Sequence, residues 1–399
     1  MIEDGHEAST VGVGSDTTPW QRPVPCSGES AALDCQQAFR VLRPSLLQIA
    51  QRRSAETFRV ARRTAILATI DVWLHSFAYA RRTVDLARRV EAWGFDGLLV
   101  ADSQNLNADV WIELGLIAAA TERICLGPGV TNPATRHPAV TASAAATLQL
   151  ESGGRAVLGL GRGDSALTQI GRRPVPVAEL ESALVAIQGF LRGEQVQVDG
   201  VASAIAWIAD SGQPKVPVAV AATGPHVIEV GARYAERVDF TVGAEPERVR
   251  WAVDMAREAV RGETVLLGAF VNVAVHPDRA VARDLVRGST AILARFSTEG
   301  GPPDGLSEIT RAGIARLASE YDESRHGQSS APAARRLEDE FIDRFAVCGP
   351  ADEVVERLAA LGELGIERVI VVPGSLDADP AAVEESNERF AEDVLQALH

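Results

Sequence analysis

Short apolar runs alternate with longer stretches of helical period from Thr64 to the end of the chain. Runs rich in Val, Ile, Leu and Ala between turn residues indicate buried parallel strands, and the 3.6-residue periodicity between them indicates helices packed on the sheet. This alternation predicts the α/β class and a (β/α)8 TIM barrel with insertions in the βα loops. The eight predicted strands are Ala65–Asp71, Gly97–Asp102, Ile124–Thr131, Ala156–Gly161, Val216–Ala222, Val238–Val242, Leu266–Val275 and Val369–Pro373.

Helices are predicted between these strands, and Gly94 and Gly365 follow two of them as helix-ending residues. The predicted helices are Arg82–Trp93, Val110–Thr121, Ala139–Leu150, Val177–Leu191, Pro225–Tyr234, Pro246–Arg261, Ala351–Leu364 and Pro380–Leu398. Two stretches do not fit the repeat: a small hairpin predicted in Glu194–Trp207, and Gly300–Arg344, which is Pro/Gly-rich and then helical. We expect these insertions to shape the substrate pocket, because the βα loops of barrels build it.

Residues 1–60 have a different character, since Gly, Ser, Thr, Pro and Gln mix there without a lasting period. A disordered or partly helical leader is predicted. It includes an amphipathic helix at Ala32–Gln51, which Pro44 would kink or split. The barrel domain is assigned to residues 61–399.

Composition narrows the chemistry. The balance of 54 acidic against 39 basic residues, a net charge of −15, disfavours a nucleic-acid partner. Lys215 is the single lysine, so Schiff-base catalysis has one candidate. The four scattered cysteines favour a reducing cytoplasm, and no apolar run approaches the roughly 18 residues of a membrane span. The seven histidines lack metal-ligand spacing, so no metal site is predicted.

Barrel enzymes carry their chemistry at the carboxyl ends of the strands. Asp71 ends the first predicted strand, and Asp102 and Ser103 follow the second. A carboxylate there is a candidate acid or base, although Asp102 and Ser103 are also good helix caps. His75, near the first βα loop, is interpreted as an ordinary surface histidine.

Three glycine-containing strand ends favour ligand contact. Glycine and proline interrupt the third strand at Leu126-Gly-Pro-Gly-Val, which favours a bulge or a close backbone approach to a ligand, with a tight turn as the alternative. The fourth strand runs into Leu160-Gly-Arg-Gly-Asp-Ser, and the fifth into Thr223-Gly-Pro-His. Backbone N–H groups at such strand ends can bind phosphate. For Thr223-Gly-Pro-His, helix capping alone is the alternative explanation. The glycine spacing does not match the dinucleotide fingerprint.

Long segments of the chain resemble the bacterial luciferase-like superfamily of barrel flavoproteins. The resemblance is strongest to the branch that contains methylenetetrahydromethanopterin reductase, which uses the deazaflavin coenzyme F420. It extends from about Thr64 to the C-terminus, and the segments that carry it are Leu126–Pro133, Arg136–Ser143, Ser152–Ser165 and Phe345–Ile366.

The resemblance implies roles for the strand-end residues. A non-prolyl cis peptide bond would fall at Gly129–Val130 against the deazaflavin ring, and Thr131 and Asn132 would line the ring or its side chain. The cofactor would then carry the hydride chemistry. Backbone amides would hold the phosphate in two segments, Gly161, Arg162, Gly163, Asp164 and Ser165 in the first and Thr223, Gly224, Pro225 and His226 in the second.

Two departures from the family pattern set the predicted catalytic residues. Asp102-Ser103 stands where members often have an Asp-His pair, so we expect no histidine beside the ring. Methanopterin reductases carry a glutamate near the end of the first strand, and the matching position is Asp71. Asp71 is therefore predicted to handle the proton, with Asp102 and Ser103 as the other catalytic candidates.

The resulting hypothesis is an oxidoreductase that transfers a hydride between F420 and a small organic substrate. An FMN-dependent monooxygenase of the same superfamily, using reduced flavin and oxygen, stays open as an alternative because it would share the barrel and the phosphate site. A non-catalytic flavin-binding protein is a third reading. We expect a cytoplasmic protein without nucleic-acid or membrane partners, and a homodimer or higher homo-oligomer stays open.

Overall fold

Parallel strands form a nearly closed barrel in the computed structural model, which describes residues 70–260, 264–297 and 306–399. Eight strands neighbour one another in the order β3-β2-β1-β11-β9-β8-β7-β4, and isolated bridges from Leu126 to Ala156 and from Thr131 to Leu160 join β3 to β4. The predicted (β/α)8 barrel is confirmed. The strands are β1 (Asp71–Phe77), β2 (Gly97–Ala101), β3 (Cys125–Pro128), β4 (Leu158–Leu160), β5 (Val196–Val198), β6 (Val201–Ser203), β7 (Val218–Ala222), β8 (Arg237–Phe240), β9 (Leu266–Val275), β10 (Val347–Gly349) and β11 (Arg368–Val372).

Helices follow the barrel strands, and those predicted from periodicity lie within two residues of their predicted bounds, except the last. That helix, predicted as Pro380–Leu398, is interrupted by a π-helical turn at Phe390–Leu395. The helices are α1 (Thr83–Trp93), α2 (Val110–Ala120), α3 (Pro138–Glu151), α4 (Ser165–Thr168), α5 (Val177–Leu191), α6 (Pro225–Tyr234), α7 (Pro246–Ala259), α8 (Arg279–Phe296), α9 (Glu308–Glu320), α10 (Pro332–Arg335), α11 (Asp339–Phe345), α12 (Ala351–Glu363), α13 (Pro380–Arg389) and α14 (Gln396–Leu398).

The first strand is the one element that the sequence pattern places wrongly. The prediction put it at Ala65–Asp71, whereas β1 begins at Asp71 and runs to Phe77. Residues 65–69 lie outside the described part of the chain. The polar residues His75 and Ser76 break the apolar run of the real strand, because its carboxyl half faces a cavity rather than an apolar core.

Both insertions contain regular secondary structure. The hairpin predicted in Glu194–Trp207 is confirmed by the antiparallel pair β5 and β6. The second insertion, Gly300–Arg344, is described from residue 306, and it contributes three helices and a 3-10 turn at Glu323–Arg325. It follows α8 and precedes β10, which pairs with the end of β9.

The core has two layers, as expected for a barrel. Val72 and Leu74 of β1 belong to the layer between strands and helices. Trp73, on the opposite face of the strand, lies inside the barrel with Phe270 and Ile370. This alternation directs the odd-numbered residues of β1 inward, and further along the strand they reach the carboxyl end of the barrel.

The helix α2 is apolar on all sides rather than on one face. Val110, Leu114 and Ile117 are buried against the barrel, yet Ile112 and Leu116 on the other side are 66% and 51% exposed. A helix that is hydrophobic all round is usually covered on all sides. The outward face of α2 is therefore an exposed apolar surface.

Some sequence predictions fall outside these observations. The leader and its helix at Ala32–Gln51 lie outside the described residues. Within residues 70–260, 264–297 and 306–399, no helix is both long and apolar enough to cross a membrane. The same residues contain no cluster of three or more His, Cys, Asp or Glu side chains that could hold a metal ion.

Candidate active site

A cavity of about 600 Å³ opens at the carboxyl ends of the barrel strands. Residues from the ends of β1, β2, β3, β4 and β7 line it, together with residues of α7, α8 and the second insertion. Apolar and aromatic side chains form much of its wall, among them Phe77, Leu106, Phe270, Ile292, Phe296 and Leu376. An enclosed apolar space with a few polar groups is the usual form of a small-molecule site.

The backbone bulges into this cavity after β3. The peptide bond between Gly129 and Val130 is cis, at the position that the family resemblance implied. The carbonyl oxygen of Gly129 lies 2.8 Å from Nε2 of His75, and its N–H donates to the carbonyl of Val100 at 2.8 Å. Strands β1 and β2 thus both hold the bulge.

Glycines next to the bulge permit close packing of the backbone. A Cβ atom on Gly129 would lie 2.6 Å from Cβ of Leu99, and one on Gly161 would lie 2.8 Å from Cγ2 of Val130. The N–H of Gly161 donates to the carbonyl of Thr131 at 2.9 Å. The predicted use of the Gly161 amide for phosphate is therefore wrong, because that amide joins β4 to β3.

Asp102 and Thr131 meet beneath the bulge. The hydroxyl of Thr131 donates to Oδ2 of Asp102 at 2.6 Å, and Arg136 donates to the same oxygen at 2.6 Å. Asp102 is 4% exposed, and the half-buried Arg136 balances the charge of its carboxylate. Ser103 lines the cavity beside it, and its carbonyl accepts the N–H of Leu106.

Asn132 lines the cavity and carries an unpaired donor. Its Oδ1 accepts the N–H groups of Ala134 and Thr135 at 3.0 and 3.1 Å, which fixes the side chain. Its Nδ2 is buried and has no hydrogen-bond partner. Such a group is costly unless a ligand or water completes it, so Asn132 is suited to bind a ligand acceptor.

The loop after β4 reaches the second insertion. Gly163 has a φ of +77°, and a Cβ atom on it would lie 2.7 Å from Cβ of Asn132. Asp164 forms an ion pair with Arg295 of α8 at 2.5 Å. Ser165 Oγ lies 3.0 Å from Nε2 of His326. The side chain of Arg162, which also lines the cavity, donates to the carbonyl of Val175 at 2.7 Å.

The start of α6 forms an anion-binding end of the cavity. Gly224 is the N-cap and Pro225 the first helical residue, and no side chain caps the helix. The alternative explanation of this segment, helix capping by Thr223, does not apply, since the Thr223 hydroxyl pairs with that of Thr241. Orphan amides at the N-terminus of a ten-residue helix favour an anion, here beside the exposed His226.

A buried arginine adjoins the same end. Arg248 of α7 is 2% exposed, lies over the ring of Trp251 at 3.7 Å and donates to the carbonyl of Thr223 at 3.2 Å. Both Arg248 and Trp251 line the cavity. This cationic side chain was not predicted, because it lies in the first turn of a helix whose sequence resembles an ordinary outer helix.

The structure does not bring Asp71 to this site. Asp71 is the first residue of β1 and pairs in register with Arg368, at the amino end of the barrel. The cavity lies at the other end, so the prediction that Asp71 handles the substrate proton is wrong. The error follows from the misplaced first strand, which made Asp71 its last residue.

A histidine from the first strand, His75, lies in the cavity, although no histidine was expected beside the cofactor ring. It lies on the inward face of β1, lines the cavity, and meets the rings of Phe77 and Phe270 edge-on at 5.9 and 5.8 Å. Burial lowers the pKa of its imidazole, although the hydrogen bond to Gly129 opposes this shift. The surface reading of His75 is therefore wrong, and a period-2 alignment of Trp73, His75 and Phe77 would have indicated its position.

Comparisons with known proteins agree with this geometry. The sequence model of the luciferase-like monooxygenase family matches residues 62–368. A 5,10-methylenetetrahydromethanopterin reductase of Methanolobus tindarius is 30% identical over 296 residues, which cover 71% of this chain and 87% of the relative. The enzyme of that name from Archaeoglobus fulgidus is 32% identical over 295 residues, covering 69% and 85%.

The fold also matches a solved structure. The coenzyme F420 dependent tetrahydromethanopterin reductase from Methanopyrus kandleri superposes with a TM-score of 0.64 at 23% identity, covering 83% of this chain and 100% of that one. This likeness supports the barrel architecture. The cavity described above lies at the carboxyl end of the shared barrel.

Proposed function

Because the chain belongs to the luciferase-like monooxygenase family, we propose that this enzyme is an oxidoreductase that transfers a hydride between coenzyme F420 and a small organic substrate. The observation that carries the proposal is the form of the cavity. One cavity joins the bulge at Gly129–Val130, the unpaired donor of Asn132 and the anion-binding start of α6. A relative from Beutenbergia cavernae that is named as an F420-dependent glucose-6-phosphate dehydrogenase, 30% identical over 299 residues, favours F420 over FMN.

The residues present fit an anionic flavin-like group. When bound, F420 supplies the hydride donor or acceptor. The bulge at Gly129–Val130 would support the ring, and Thr131 and Asn132 would lie at its edge. Asp102 would act by holding Thr131, since its carboxylate accepts from that hydroxyl and from Arg136. Ser103 would contact the ring or the substrate at the cavity wall.

The phosphate would lie at the start of α6, against the amides near Gly224 and His226. Amides of Arg162, Gly163 and Asp164 would complete this site, and the side chains of Arg162 and Arg248 would balance the charge. Ser165, at the end of this loop, lines the cavity beyond it. Pro225 contributes its fixed φ rather than a donor. Phe77, Phe270 and Phe296 would exclude water from the reacting atoms.

Direct titration tests the cofactor. We expect the fluorescence of F420 to be quenched, or its absorbance to shift, when it binds. The Kd for F420 should be at least tenfold below the Kd for FMN. Arg162→Gln should weaken F420 binding about tenfold, the effect of one lost charge-assisted hydrogen bond. Arg88→Gln, which changes an exposed arginine on α1, is the matched control and should leave the Kd unchanged.

The alternatives have distinct outcomes in the same experiment. Tight FMN binding without F420 binding would support the FMN-dependent monooxygenase and overturn the proposal. Binding of F420 without turnover over a broad panel of alcohols, ketones and imines would support a non-catalytic cofactor-binding protein.

We also propose that the chain forms a homodimer through the outward face of α2. Ile112 and Leu116 on α2 and Val140 on the neighbouring α3 are more than half exposed, at 66%, 51% and 56%. Several large apolar side chains exposed on neighbouring helices favour an interface, and symmetric dimers are the commonest assembly.

A further inference from the structure

A chain of polar side chains connects the second insertion to the cavity wall. Nε2 of His326 lies 3.0 Å from Ser165 Oγ, and its Nδ1 lies 2.9 Å from the hydroxyl of Tyr321. Ser165 and His326 both line the cavity, and His326 is 8% exposed. A serine, a histidine and a third oxygen in this order form a path along which a proton can move.

Glu323 completes the surroundings of the imidazole. Its Oε2 lies 3.5 Å from Nδ1 of His326, is buried, and has no hydrogen-bond partner. Although burial opposes it, the pKa of Glu323 is held below its usual range by His326 and by the charge of Arg295. An ionised carboxylate here would stabilise the imidazolium that forms when His326 takes a proton.

Arg295 holds the cluster in one arrangement. It bridges Asp164 at 2.5 Å and Glu323 at 3.1 Å, and it lies over the ring of Tyr321 at 4.9 Å. Burial raises the pKa of Tyr321, which keeps its phenol protonated as a neutral partner for Nδ1. His326 therefore sits between fixed neighbours on both ring nitrogens.

The other proton-exchanging groups that line the cavity are committed elsewhere or open to solvent. His75 is bound to Gly129, Asp102 accepts from Thr131 and Arg136, and Asp164 is paired with Arg295. His226 lies exposed at the anion-binding end. Ser165 is a lining hydroxyl with a buried imidazole directly behind it, so the pair Ser165 and His326 is well placed to exchange a proton with a substrate.

The surroundings of His326 indicate what that substrate is. The next residue, Gly327, packs so closely that a Cβ atom on it would lie 2.8 Å from Cδ1 of Ile292 and 3.0 Å from Cδ1 of Leu376. Ile292 and Leu376 both line the cavity. The arginines of the lining are Arg162 and Arg248, which the proposed function assigns to the cofactor anion. A neutral, apolar molecule with one oxygen function fits this wall.

We propose that Ser165 binds the reacting oxygen of a neutral, apolar alcohol or ketone, and that His326 exchanges the proton of that oxygen through the Ser165 hydroxyl. This inference rests on the proposed hydride transfer. In reduction, the carbonyl carbon gains a C–H bond from the hydride of the reduced deazaflavin, and the C=O π pair moves to oxygen. The oxygen takes the Ser165 hydroxyl proton, and Ser165 takes one from Nε2 of the His326 imidazolium. Oxidation of the alcohol reverses each transfer.

Ser165 is the catalytic residue in this scheme and His326 the positioning residue behind it. Single-turnover hydride transfer with cyclohexanone, followed by deazaflavin absorbance, should slow about 100-fold in His326→Gln and Ser165→Ala, the usual share of acid–base catalysis. Its pH dependence should disappear in His326→Gln. Ser165→Thr, which retains the hydroxyl, should recover most of the rate, and His276→Gln, outside the cavity, should match the wild type.

A second measurement needs no turnover. Ring signals of His326 in 15N NMR spectra of the cofactor-free protein should shift when cyclohexanol is added, and the shift should vanish in Ser165→Ala. If F420 binds and reacts but His326→Gln keeps the wild-type pH profile and rate, the relay is wrong while the proposed function stands. If F420 does not bind at all while the cyclohexanol shift is observed, the proposed cofactor is wrong and the alcohol site stands.

Discussion

At the scale of single residues, His75 shows how a barrel strand combines packing with chemistry. Its ring packs between Phe77 and Phe270, while its Nε2 bonds the carbonyl of Gly129 in the bulge. The side chain thereby fixes the segment proposed to support the cofactor ring. Since burial lowers its pKa, the imidazole is held in the neutral form by the fold.

The lowered pKa of His75 makes folding stability depend on pH. An unfolded histidine takes up a proton below about pH 6.5, whereas the folded His75 resists it. The unfolded state then binds more protons, so the free energy of unfolding falls as the pH drops from 7 to 5, and this group can contribute no more than about 2 kcal/mol to that fall. Urea unfolding of His75→Gln should show a correspondingly smaller fall between these pH values.

The matched control for this prediction is His276→Gln, which removes an imidazole outside the cavity. It should keep the pH dependence of the wild type. Equal pH dependence in His75→Gln and the wild type would mean that the fold does not hold His75 neutral.

At the scale of elements, sequence periodicity located most of the barrel but not its first strand. Helices α5 and α6 and strand β9 have the predicted bounds, because their apolar patterns are strong and their ends carry clear signals. Strand β1 was missed because the inward residues of its carboxyl half face a cavity. Apolar pattern is therefore a poor guide where a strand changes from core to site.

The candidate site was only partly predictable for a related reason. Glycine and proline in Leu126–Val130 indicated a bulge, which the family resemblance assigned to Gly129–Val130, and Thr223-Gly-Pro-His indicated the start of α6. Both features are encoded by adjacent residues. The contact between Ser165 and His326 joins positions 161 residues apart. His326 lies in the second insertion, which carries no recognisable motif. Such a contact depends on how the insertion packs over the barrel, which local patterns do not specify.

The outward face of α2 carries a prediction about assembly. A charge on this face should be incompatible with a buried apolar interface, so Leu116→Arg should convert the proposed dimer to the 42.4 kDa monomer. Light scattering after size exclusion measures the mass. Val201→Arg, at a valine of the β5–β6 hairpin that is 66% exposed, should leave the assembly intact. A wild-type protein that is monomeric at tens of micromolar would refute the dimer.

At the scale of the whole molecule, charge opposes the proposed ligand. The chain carries a formal net charge of −15, while F420 is itself anionic. The site must overcome this field locally, through the amides at the start of α6 and the side chains of Arg162 and Arg248. Short-range contacts then determine how long the cofactor stays, and the long-range field affects how fast it arrives.

This balance predicts an unusual salt dependence of binding. Raising the ionic strength from about 0.01 to 0.2 M shortens the screening length from roughly 30 Å to under 10 Å, and so weakens the long-range repulsion. The association rate of F420, followed by stopped-flow fluorescence, should therefore rise about twofold or more. A rate that falls with salt would instead indicate that the arginines steer the cofactor.

The closure of the barrel has a consequence for how ligand and fold depend on each other. The other neighbouring barrel strands pair through continuous ladders, whereas β3 and β4 meet through two isolated bridges, a junction called the seam here. The bulge and the glycine loop on either side of the seam also line the cavity. Backbone hydrogen bonds join the two strands at this seam, including those donated by the N–H groups of Thr131 and Gly161. A cofactor bound across this seam would contact both strands and hold them together. Cofactor binding would therefore stabilise the closed barrel and raise its free energy of unfolding.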